Sequence, residues 1–239
     1  GTYMIKGSSL FSQLLHHFPR TEFAHLVAKH QAERCSKGFT CWTQLVSMLF
    51  CHMAHADSLR EICGGLACCI GKLKHLGISK APSKSTLSYA NQNRPAELYE
   101  ELFWTMLKRF RENGGLGNRK RKFRFKNKLL SIDSTTISLC LGLFPWAKFR
   151  RAKGGVKVHV LLDHDDYMPS FALITQAKVH DRTVAGKFSL KSGSIVAFDR
   201  AYNDYALFSR WTGNGIFFVT RQKENAVYEV TEKRIPARH

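Results

Sequence analysis

Along the first half of the chain apolar residues recur at helical spacing; along the second half they alternate or run together as strands do. Trp42, Leu45, Val46, Leu49, Phe50 and Met53 repeat every three or four residues, with Thr40 placed to cap the helix they imply. Ser58-Leu59-Arg60-Glu61 has the form of a capping box opening a further short helix, which Gly64-Gly65 or Gly71 would stop. Pro95 begins a longer helix with Tyr99, Leu102, Phe103, Met106, Leu107 and Phe110 as its apolar face. From Leu129 the period changes. Leu129 to Asp133 reads as a short strand, and Val156, Val158, Val160 and Leu162 alternate with Lys157, His159 and Leu161. The turn 163–169 leads into a returning strand, Phe171 to Gln176. Asp181 is placed to cap a helix running through Val184 and Phe188. Ser194 to Asp199 is the next strand, Asn203 to Trp211 a helix, and Gly215 to Thr220 a final strand.

The breaker-rich stretch Asn113-Gly114-Gly115-Leu116-Gly117-Asn118 separates the two patterns. The expected organisation is a helical N-terminal domain over 1–112, a basic linker over 113–128, and an α/β domain over 129–239. That α/β domain is a mixed sheet flanked by helices, and the part before it is small and all-α.

Two strands end on an aspartate: Leu129-Leu130-Ser131-Ile132-Asp133 and Ser194-Ile195-Val196-Ala197-Phe198-Asp199. Aspartate is a poor strand residue, so each needs a reason. A single one is explained by capping the turn or helix after it. Two on neighbouring strands would set paired carboxylates in a sheet-end crevice, the arrangement that holds divalent ions for phosphodiester chemistry. Asp133 and Asp199 are therefore the candidate catalytic and metal-binding residues, with Mg2+ or Mn2+ as the cofactor. Asp163 is accounted for by its turn, and His159 by packing or hydrogen bonding.

Charge sharpens this picture. Lys and Arg number 37 against 18 Asp and Glu, a formal net charge of +19, which calls for a polyanionic partner. Arg119, Lys120, Arg121, Lys122, Arg124, Lys126 and Lys128 crowd the linker, and Lys148, Arg150, Arg151, Lys153 and Lys157 follow the first aspartate. With Arg200 these are the candidate DNA contacts. Pro82-Ser83-Lys84-Ser85-Thr86-Leu87-Ser88-Tyr89 reads as the start of an exposed helix that suits a major groove, and equally as an ordinary surface helix. Seven cysteines form no C-x-x-C pair, so they read as reduced, mostly buried thiols. No apolar run reaches the length of a membrane span and the start lacks a signal-peptide pattern, so the expectation is a soluble cytoplasmic protein.

Several motifs together resemble the DDE transposases of bacterial insertion sequences, in the group called the IS-four family. They are Ile132-Asp133-Ser134-Thr135-Thr136, the segment from Trp146-Ala147-Lys148-Phe149-Arg150 to Lys153-Gly154-Gly155-Val156-Lys157, Val179-His180-Asp181, and Phe198-Asp199-Arg200-Ala201-Tyr202. The helical part is similar to the N-terminal domain of these transposases through Phe11-Ser12-Gln13-Leu14-Leu15, Phe39-Thr40-Cys41-Trp42 and Asp57-Ser58-Leu59-Arg60. The resemblance spans almost the whole chain and is specific as a set. It implies an RNase H-like fold with the first and fourth strands adjacent at the centre, and metal-dependent cleavage and strand transfer at insertion-sequence ends. It also implies double-stranded DNA (terminal repeats and target) as partner, self-association on DNA, and a bacterial, nucleoid-associated location. The third acid of the family is a glutamate within a Y-x2-R-x3-E-x6-K pattern, which this sequence lacks. Glu224, Glu229 and Glu232 come too early, and Thr231 stands where an arginine would follow Tyr228. The expectation is a chain that stops before the third acid. A non-catalytic DNA-binding remnant and an RNase H-like structure-selective nuclease are the alternatives.

Overall fold

A computed structural model describes residues 9–34, 36–69, 71–113, 124–139, 148–150, 153–227, 229–230 and 232, with backbone alone at 138–139, 148–150 and 153–154. The chain divides into two compact units, Gly1–Gly115 and Leu116–His239.

The first unit is helical: α1 (Leu10–His16), α2 (Arg20–Lys29), α3 (Cys41–Ala54), α4 (Leu59–Cys68), α5 (Lys84–Asn93) and α6 (Glu97–Glu112). The side chains of Thr40, Ser58 and Ser83 cap α3, α4 and α5 by accepting from the amides of Thr43, Glu61 and Thr86. Helix α4 runs through Gly64-Gly65, which the sequence offered as a stop. Gly65 serves close packing instead: a Cβ there would lie 2.8 Å from Phe50 Cε1 on α3. The buried stripe of α6 is Leu98, Leu102 and Leu107, whereas Phe103 and Phe110, expected inside, are exposed. Trp42 is buried and donates its indole N–H to the Leu76 carbonyl at 2.9 Å.

The second unit holds β1 (Leu129–Leu139), β2 (Lys148–Arg150), β3 (Lys153–Asp163), β4 (Met168–Gln176), α7 (Arg182–Ala185), β5 (Ile195–Phe198), α8 (Tyr205–Gly213) and β6 (Phe217–Thr220). The main order is β4–β3–β1–β5–β6, with β2 also paired to β3. β1–β3 and β3–β4 are antiparallel; β1–β5 and β5–β6 are parallel. This is the expected mixed sheet flanked by helices, with the first strand beside the fourth of the strands read from sequence. One difference concerns β1, which does not end at Asp133. Its antiparallel ladder with β3 continues to the pair Leu139–Gly154, so its backbone groups keep partners beyond the aspartate. β2 is also an addition to the strands read from sequence.

Alternation places Leu130, Ile132, Leu161, Val196 and Phe198 on one sheet face, where they bury against Val184, Ala185, Phe188, Leu207 and Trp211. Each such large apolar side chain contributes about 1.5–3 kcal/mol by leaving water. Phe198 meets Trp211 edge-on, with ring centres 5.6 Å apart. The other face carries Ile174, Phe217 and Val219, all exposed. No helix among the described residues is long and apolar enough to cross a membrane.

Candidate active site

The parallel register of β1 and β5 pairs Ile132 with Phe198, so the next residues along each strand are Asp133 and Asp199. Parallel partners share a face, and both aspartates follow residues of the buried face. Asp199 keeps an extended backbone (φ −74°, ψ 155°), so the alternation holds through it. Both aspartates therefore belong to the face opposite the α7/α8 core, and both are exposed. Each uses Oδ1 locally. Asp133 accepts from the Ser134 amide at 2.7 Å, and Asp199 accepts from the Ala201 amide at 3.0 Å, capping the short 3-10 turn Arg200–Tyr202. The capping explanation thus holds for Asp199 without competing for its second oxygen.

Beneath this pair, on the core face, lies a polar cluster that the spacing of residues along the sequence did not reveal. His159 and Tyr202 are among the most buried side chains of the protein. His159 Nδ1 lies 3.1 Å from the Tyr202 hydroxyl, and its Nε2 lies 2.9 Å from Thr175 Oγ1. Packing and hydrogen bonding thus account for His159, as expected. Burial holds its pKa below the ordinary value; the Asp181 carboxylate acts the other way, and Lys157 and Lys187 add to the lowering. Tyr202 is pushed up to about 12, first by burial, with a Ser134 hydrogen bond pulling down and the carboxylates of Asp181, Asp133 and Asp199 pushing up.

Asp181 differs from expectation. It makes no side-chain cap on α7, which is only four residues long. Its Oδ1 instead pairs with Lys157 Nζ at 3.0 Å and accepts from Ser134 Oγ at 3.4 Å, with His159 Nδ1 at 3.6 Å. The reason is β3: its alternation turns Lys157 and His159 inward toward the α7 side, and a partly buried ammonium outcompetes backbone amides for the carboxylate. Residues Lys157 and His159, at i and i+2 on an otherwise apolar strand, were the available signal.

The basic candidates separate in the same way. Lys157, expected to meet phosphate, keeps only 15% of its side chain exposed and is bonded to Asp181 and the Val179 carbonyl. Lys128 is half-exposed and pairs with Asp163 at 2.6 Å, while Asp163 Oδ1 also accepts the Asp165 amide in the turn. Arg200 pairs with Glu224 at 2.9 Å on the surface. Arg124 and Lys126 are exposed. Arg119, Lys120, Arg121, Lys122 and Arg151 lie outside the described residues, and the side chains of Lys148, Arg150 and Lys153 are not described.

As a cation site, the pair offers hard carboxylate oxygens from β1 and from the residue that follows β5, which suits Mg2+ or Mn2+. Among the described residues no group of three or more His, Cys, Asp or Glu side chains could hold a metal. The donor chemistry fits, with two ligands supplied.

Both units of the chain are similar to known proteins. Residues 6–79 match a family described as a domain of unknown function (DUF4372), and residues 124–239 match the transposase DDE domain. A Sinorhizobium fredii protein named as transposase y4zB is 31% identical over 73% of this chain and 47% of its own length. A Geobacillus stearothermophilus protein named as a transposase for insertion sequence element IS5377 is 30% identical over 44% of this chain and 28% of its own. The chain thus spans about half or less of these curated relatives. A solved piggyBac transposase, in a synaptic complex with hairpin DNA, aligns with 94% of this chain and 53% of its own at 10% identity and a TM-score of 0.44.

Proposed function

We propose, for a chain that joins a DUF4372 domain to a transposase DDE domain, has transposase homologues and is consistent with a DDE transposase of insertion sequences, that it contributes the first two acids of a metal-dependent DNA cleavage and strand-transfer site. The observation that carries this reading is the β1–β5 register, which sets Asp133 beside Asp199 on one exposed face.

Asp133 and Asp199 would hold the ion through their carboxylates, each of which is also oriented by a backbone amide on Oδ1. Held there, Mg2+ or Mn2+ would supply activation of the attacking oxygen and stabilisation of the leaving oxygen of a phosphodiester. Backbone amides orient the two carboxylates before DNA arrives, so little reorganisation is needed at the moment of reaction. Arg200, next to Asp199, can exchange its exposed Glu224 partner for a phosphate, because a surface ion pair is worth only about 0–1 kcal/mol. In the reaction water attacks at a transposon end to free a 3′-hydroxyl, which then attacks target DNA in line. Arg124 and Lys126, with the basic run before them, are assigned to DNA delivery, and Lys157 is reassigned to the interior. The helical unit is assigned to end recognition through α5, whose Lys84, Ser85, Thr86 and Tyr89 are exposed.

The test uses the protein containing this chain, transposon-end DNA and Mg2+. Asp133→Asn and Asp199→Asn should each abolish cleavage while DNA binding persists. Cleavage retained in either variant removes that residue from the site. Strand-joined products from the unmodified protein distinguish transposition from plain nuclease action.

A further inference from the structure

We propose that Tyr202 is a positioning residue for the aspartate pair, braced by His159 and by the Lys157–Asp181 ion pair so that the segments carrying Asp133 and Asp199 keep one fixed spacing. The proposal rests on the two-aspartate reading above and extends it to residues on the opposite face of the sheet.

Both aspartates are tied to Tyr202 through their own neighbours. On the β5 side the Tyr202 amide donates to the Asp199 carbonyl at 3.0 Å, closing the turn that Asp199 caps through the Ala201 amide. On the β1 side Ser134 follows Asp133 and donates to Asp181 Oδ1 at 3.4 Å; that carboxylate lies 3.6 Å from His159 Nδ1, which meets the Tyr202 hydroxyl at 3.1 Å. Tyr202 is therefore held on the β5 side by its backbone amide and reaches the β1 side through His159 and Asp181.

The polar groups beneath the pair are buried beside Ile132, Leu161 and Phe198, where an unpartnered one would be costly. Each has a partner. His159 reaches Tyr202 and Thr175, its ring meets Tyr202 edge-on at 6.2 Å, and Lys157 holds Asp181 and the Val179 carbonyl. A fully satisfied network at low dielectric is rigid. Outer groups of this kind orient ligands that they do not themselves replace.

Amide hydrogen exchange and Mn2+ titration of this chain test the proposal, using Tyr202→Phe, which removes one oxygen and keeps the ring. The Ser134 and Ala201 amides should exchange about tenfold faster, the scale of one broken hydrogen bond. Mn2+ affinity should fall about tenfold. The melting temperature and exchange at Leu130 and Val196 should hold. His159→Gln, which keeps a hydrogen-bonding group, should move the same two amides in the same direction by less, and stands in if Tyr202→Phe does not fold. Unchanged exchange at both amides overturns the proposal. So does uniformly faster exchange that includes Leu130 and Val196, which would make Tyr202 a stability residue. Faster exchange at the two amides alone, in a chain whose Mn2+ binding is indifferent to Asp133→Asn, supports the brace and removes the metal-site reading instead.

Discussion

His159 has no exposed surface and three polar neighbours: the Tyr202 hydroxyl, Thr175 Oγ1 and the Asp181 carboxylate. Burial holds its pKa below 6.5, outweighing Asp181. Between the folded value and 6.5 the unfolded chain binds more protons than the folded one. Its contribution to stability is therefore complete above pH 6.5 and is lost as pH falls through the folded value. Urea unfolding from pH 7.5 down to 5 should show a steeper loss in the native chain than in His159→Gln. Equal slopes would mean that His159 takes up a proton as readily folded as unfolded. Asp181 carries a related lesson. Its position before a helix looked like a cap, but capping competes with every other donor the fold brings into reach, and here Lys157 wins.

At the scale of elements, α8 links the two parallel strands β5 and β6, and Asp204 starts it by accepting from the amides of Ala206 and Leu207 at 3.0 and 3.2 Å. Asp204→Ala should destabilise the protein by about 1 kcal/mol, as loss of an N-cap does, read as a lower urea midpoint at unchanged slope. An unchanged midpoint would show that burial of Leu207 and Trp211 alone holds the helix. Caps and strand alternation were legible in the sequence at Thr40, Ser58, Val156 to Leu162 and Ser194 to Asp199, since these depend on neighbours in the chain. The length of β1 was not legible. Ser134, Thr135 and Thr136 look like the end of a strand until β3 supplies their ladder partners. Gly65 looked like a helix stop until Phe50 was seen against it.

For the whole molecule the governing quantity is the net charge of +19. DNA affinity should fall steeply with salt, because every phosphate neutralised releases counterions. Replacing Arg119, Lys120, Arg121 and Lys122 with alanine should weaken binding and reduce the slope of log K against log salt by about 1 for each phosphate no longer neutralised. An unchanged slope would place that run away from the DNA. Lys157→Ala carries a different expectation, no change in slope, because its ammonium is spent on Asp181.

Taken alone, the order of residues determined where helices give way to strands, which strands bear an aspartate, and that the chain carries a net charge of +19. Those properties belong to consecutive residues and to summed charge, and need no knowledge of what packs on what. Only the tertiary structure decided that β5 pairs in parallel with β1 and brings Asp199 beside Asp133. It alone also turned Lys157, His159, Asp181 and Tyr202 toward one another beneath them. The reason is physical: a buried polar side chain takes the strongest partner within reach, and reach is set by strand order and register, not by separation along the chain.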